Sequence, residues 1–178
     1  MIAPMILSAS CGTEFKSEQR TLRITPHEFN HRFLSNINNL TNSLSMKGTV
    51  TTLEIFKKES KPSEDEITYK LSDDIFFTEI SNGSNKELKK VYVNCFDLSE
   101  PSIRTTEVIY VAMVKAISPE FKDFKMLQDE LRFESDNKSE KYKEVVLNKI
   151  FFSRYMNNAV LGTIFSSVKF SKLTTVFG

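Results

Sequence analysis

Residues 24–44, ITPHEFNHRFLSNINNLTNSL, carry Phe29, Phe33, Ile37, Leu40 and Leu44 at intervals of three and four. That spacing gathers the five on a narrow arc of one helix face and predicts an amphipathic helix that stops at Gly48. β-Branched residues then dominate TVTTLEIFKK (49–58), which reads as a strand. The charged, proline-containing KESKPSEDE (58–66) reads as a loop. Ile67, Tyr69 and Leu71 alternate with polar residues, the signature of a half-buried strand. IFFTEI (75–80) and LKKVYVNCF (88–96) flank the turn residues SNGSN and predict a hairpin.

Within SEPSIRTTEVIYVAMVKAIS (99–118) the chain is apolar nearly all round between Val108 and Ile117, and Thr105, Thr106 and Glu107 ahead with Ser118-Pro119 after predict a buried helix of about four turns. Ser118-Pro119-Glu120 reads as the N-cap and first turn of another helix, with Phe121, Phe124, Leu127 and Leu131 on one side. ESDNKSEKYKE (134–144) reads as a solvated loop or a frayed helix end. KIFFSRYM and AVLGTIFSSVKF, joined at Asn157-Asn158, read as a closing hairpin. Segregated runs of strands and helices predict an α+β fold. The expected architecture is a single antiparallel sheet of about five strands with helices packed on one face, in the order helix, strands, helix, helix, β-hairpin.

The sequence has 178 residues, 40% hydrophobic and 26% charged, enough for one domain with its own core. That domain is expected over residues 21–178. Fifteen Phe and no Trp make phenylalanine the main aromatic core material. A formal net charge of +1, with Lys and Glu interleaved, gives no basic patch for nucleic acid. No apolar run approaches the roughly 20 residues of a membrane span. Residues 1–20 open with MIAPMILSAS before Cys11, an apolar stretch and small residues like the end of a secretion signal, without the positively charged leading region. They are expected to form a signal-like or tethering segment, with Cys11 a candidate for lipidation. Leu7 lies four residues before it rather than the three usual in a bacterial lipobox. Cys95 is a candidate for a disulfide with Cys11, or for a buried free thiol.

The only two histidines fall in His27-Glu28-Phe29-Asn30-His31, an H-E-x-x-H pattern in which two histidines can hold zinc and the glutamate can act as base. Pro26 forces the helix to begin there, which leaves the candidate ligands His27 and His31 in its first turns, opposite the apolar stripe. No third histidine exists, so Glu107 or Glu120 would have to complete such a site. Helix initiation accounts for more of the letters. Thr25 fits an N-cap, Pro26 the first helical position, Glu28 the reciprocal partner of a capping box, and Ile24 with Phe29 a hydrophobic staple. Asp73-Asp74 and residues 63–66 lack EF-hand spacing. Asn39, Asn82 and Asn137 begin sequons, which matter only for a eukaryotic secretory protein.

Thr25-Pro26-His27-Glu28-Phe29 and Phe33 through Asn38, with the order of elements, carry a resemblance. The chain resembles small bacterial exported proteins or lipoproteins of uncharacterised families. In these a T/S-P-x-E-F-x-x-x-F/L-N helix precedes a meander, an apolar second helix and a closing hairpin. The resemblance implies a fold and an extracytoplasmic location, periplasmic or membrane-anchored, with membrane contact only through an N-terminal lipid anchor. The expected function is a non-enzymatic partner-binding protein, of inhibitor or immunity type, that uses no cofactor and binds a protein rather than nucleic acid. The alternatives are a zinc-dependent hydrolase using His27, Glu28 and His31, and a cytosolic adaptor or chaperone-like protein.

Overall fold

The computed structural model describes residues 21–43, 52–131, 141–147, 150–157 and 159–167. Helix α1 spans Pro26–Ser43. Strands β1 (Glu54–Lys61), β2 (Glu64–Lys70), β3 (Ile75–Asn82) and β4 (Leu88–Cys95) follow, then helices α2 (Glu100–Ile117) and α3 (Phe124–Leu131). Strands β5 (Lys141–Leu147), β6 (Ile150–Met156) and β7 (Leu161–Ser166) close the order. The seven strands form one sheet in the order β1-β2-β3-β4-β7-β6-β5, every pairing antiparallel. Two meanders therefore meet at β4 and β7, and β1 and β5 are the edges.

This corrects the expected count of about five strands and the expected order, since a further strand, β5, pairs ahead of the closing β6–β7 hairpin. Two charged stretches that read as loops are strands. Residues 58–66 form the arms of a β1–β2 hairpin, with Lys61 opposite Glu64 and Ser60 opposite Asp65. Its tip is exposed on both faces, so no apolar alternation marks it. The first four residues of β5, 141–144, fall in the expected loop, and the regular pairing of β5 with β6 makes a third strand after the helices. Edge strands face less core, and their charge guards against strand addition. The third helix also starts later than expected. Ser118 ends α2, its amide donating to Val114 O, while Asp123 caps α3 by accepting from Met126 N at 3.0 Å.

Side-chain alternation divides the sheet into two faces. One carries Tyr69, Phe77, Val91, Val93, Phe152, Leu161 and Phe165, which join Phe29, Phe33 and Ile37 of α1, the buried side of α2, and Leu127 and Leu131 of α3 in one core. α1 covers the β2–β3 half: the rings of Phe29 and Phe33 stack on Phe77 at 5.7 and 5.3 Å. α2 lies over the other half, where Tyr110 meets Phe165. The opposite face carries Phe76, Tyr92, Tyr155 and Ile164. A small second cluster of Tyr155, Val160 and Ile164 is buried there. Tyr155 lies so close over its strand partner Gly162 that a Cβ at that position would sit 2.0 Å from the ring, so only glycine fits.

Candidate functional site

The first turn of α1 is built by its own sequence. Thr25 Oγ1 accepts from the Glu28 amide at 3.2 Å, and Thr25 O accepts from Phe29 N at 2.9 Å. Such a cap stabilises a helix by about 1 kcal/mol. The reciprocal half of the expected capping box does not form, because the Glu28 carboxylate pairs with Arg32 one turn along. Arg32 also donates to Ala116 O, tying α1 to α2. His27 and His31 are both exposed. Among the described residues no group of three or more His, Cys, Asp or Glu side chains is placed to hold a metal ion. Glu107 is engaged by Arg154 across the α2–β6 contact.

Other sequence candidates are placed as follows. Cys95 is a buried free thiol at the end of β4, and its Sγ donates to Asp97 O at 3.0 Å. Cys11 and Asn137 lie outside the described residues. Asn39 is exposed on α1, whereas Asn82 is buried and its Oδ1 accepts from Ser84 N. The acidic groups Asp73, Glu64 and Asp65 meet Lys70, Lys89 and Lys86.

Asn30, a filler letter in the histidine pattern, reaches the interior instead. Its Nδ2 donates to Tyr69 Oη at 3.2 Å and to Glu79 Oε2 at 3.3 Å, and Tyr69 Oη donates to the same carboxyl oxygen at 3.1 Å. Glu79 is 1% exposed, on the helix-covered face of β3. Its Oε1 and the Asn30 Oδ1 are buried without a hydrogen-bond partner among the described residues. Desolvation, opposed by the bonds from Tyr69 and Asn30, pushes the carboxyl up to about 8. Burial likewise pushes the Tyr69 phenol up to about 12, helped by the neighbouring carboxylate. Sequence reasoning passed over this cluster. Its signal was Glu79 standing two and four residues after Phe77 and Ile75, a charged letter on the buried register of an apolar strand.

On the face of the sheet opposite α1 and α2 a different feature stands out. β1 carries a bulge at Phe56, whose ring meets Phe76 of β3 edge-on at 5.1 Å; Phe76 meets Phe96 at 6.0 Å. Phe56 is 63% exposed and Phe96 49%. Three touching rings thus form an apolar patch beside a lysine-rich edge strand. Contiguous exposed apolar surface of this kind marks recognition sites far more than scattered apolar residues do. The bulge explains the geometry, since an extra residue redirects a side chain and bends the strand away from further pairing. The composition signal was present in IFKK, IFF and NCF, but which of these rings share a face depends on strand register.

No protein-family model, curated protein or solved structure matches this chain.

Proposed function

We propose that this chain is a non-enzymatic partner-binding protein that works outside the cytoplasm, lipid-tethered or periplasmic, and meets a protein partner through the Phe56–Phe76–Phe96 patch. The exposed aromatic trio carries this reading. Aromatic side chains dominate the binding energy of protein interfaces, and a rigid sheet presents them at little entropic cost. The signal-like residues 1–20 supply the argument for location. The zinc-hydrolase alternative draws no support from the surroundings of His27, Glu28 and His31. The test is retention from an envelope extract on immobilised protein. The wild type is expected to hold a discrete partner that the double variant Phe56→Ser, Phe96→Ser releases at least tenfold. Both side chains are exposed, so the variant's stability should change by less than about 1 kcal/mol. Equal retention by both proteins, or none by either, contradicts the proposal.

A further inference from the structure

The Asn30–Tyr69–Glu79 cluster lies on the other side of the sheet from the aromatic patch and is independent of the binding proposal. It joins three elements: Asn30 from α1, Tyr69 from β2 and Glu79 from β3. The strand neighbours directly beside Glu79 are Ile67 of β2 and Val91 of β4, both aliphatic. The charged groups of α1 near this position point elsewhere. His27 and His31 are exposed, and Glu28 and Arg32 bind each other. Tyr69 is therefore the one titratable group among the described residues that bonds to the carboxyl, and no lysine, arginine or histidine acts on it. Among the described residues a carboxylate so enclosed finds no counter-charge, and one of its oxygens finds no donor. The neutral acid fits this place and the anion does not.

We infer that Asn30, Tyr69 and Glu79 form a proton-operated clasp that holds α1 against the sheet while Glu79 is protonated and loosens that contact as the proton leaves. α1 covers only the β2–β3 half of the sheet, so it can lift without breaking a strand pairing. Lifting returns Glu79 to water, where it ionises in the ordinary carboxylate range; the docked state holds the proton up to about pH 8. Between those limits each pH unit favours the lifted state by about tenfold. Lifting also uncovers the stacked rings of Phe29, Phe33 and Phe77, so the lifted state stays a minor one whose frequency, rather than whose dominance, is set by pH.

Amide hydrogen exchange of the full chain between pH 5.5 and 9 reads this directly, after correction for the base catalysis of exchange itself. In the wild type, protection of α1 amides is expected to fall by about tenfold per pH unit up to about pH 8 and then level off. Amides of α2 and β7 that open only on global unfolding should follow the same slope, since that too returns Glu79 to water, but from a higher level. At every pH the α1 amides should therefore be at least tenfold less protected than those of α2 and β7. Glu79→Gln should make α1 protection flat with pH. Tyr69→Phe removes a hydrogen bond that favours the ionised carboxylate, so it should carry the levelling-off to higher pH. The inference is overturned if α1 amides are as well protected as those of α2 and β7 throughout this range. It is equally overturned if the α1 slope survives in Glu79→Gln, or if Tyr69→Phe leaves the levelling-off unmoved.

Discussion

Phe77→Ala is expected to lower the free energy of unfolding by about 3–5 kcal/mol, the usual loss when a buried phenylalanine is cut to its Cβ. Phe77 is fully buried at the centre of the α1–sheet contact, where Phe29, Phe33 and Tyr69 all stack on its ring. Removing it leaves a cavity that two helix side chains and one strand side chain would have to close together. Phe76→Ala, one residue earlier, should cost less than about 1.5 kcal/mol, because that ring lies in the partly exposed patch on the opposite face. Urea denaturation of the two variants gives the comparison. Similar losses would mean that the strand is not divided between core and patch in this register, since a one-residue slip exchanges the two faces.

Glu79→Gln should change the pH dependence of stability as strongly. Folding raises the pKa of this carboxyl, so the native state binds its proton more tightly than the unfolded chain does. Its contribution is full below about pH 4.5, declines as pH rises, and is gone above about pH 8. At 1.36 kcal/mol per unit, the wild type forfeits about 3 kcal/mol between pH 4.5 and 7 that the amide variant keeps. The stability of Glu79→Gln relative to wild type should therefore be about 3 kcal/mol more favourable at pH 7 than at pH 4. Glu59, Asp65 and Asp73 have carboxyls lowered by lysine partners, so they act in the opposite sense at the acid end. They are common to both proteins and cancel in the difference. Chemical denaturation at the two pH values measures it, and a difference below about 1 kcal/mol would place the native Glu79 in the ionised form.

Where a pattern reports burial on one face, the sequence was a sound guide to the elements. The stripe from Phe29 to Ile37 marks α1, and Thr25-Pro26 marks where it starts. The apolar run from Val108 to Ile117 marks α2, and Ile75, Phe77, Val91 and Val93 mark the central strands. The edges were legible only in part. The strands read at 49–58 and 67–71 fall on β1 and β2, but the hairpin arms between them and the start of β5 owe their existence to pairing with a neighbour rather than to a core-facing stripe, so their Lys and Glu letters resemble a loop. Ser118-Pro119 offered a plausible cap, yet Asp123 captures the α3 amides because the chain at Ser118 is still closing α2. The two features now assigned roles were hidden for a related reason. Neither the joining of Phe56, Phe76 and Phe96, nor that of Asn30, Tyr69 and Glu79, follows from local spacing. Each requires knowing which strands lie side by side and which face each residue takes.

A photo-reactive phenylalanine analogue in place of Phe56, and in a separate protein in place of the exposed His31, tests the recognition surface most directly. Irradiated in an envelope extract, the protein labelled at position 56 is predicted to form a discrete covalent adduct with one partner protein, and the protein labelled at position 31 none. Absence of an adduct at 56, or the same adduct at 31, would contradict the placing of recognition on the face of the sheet opposite α1 and α2.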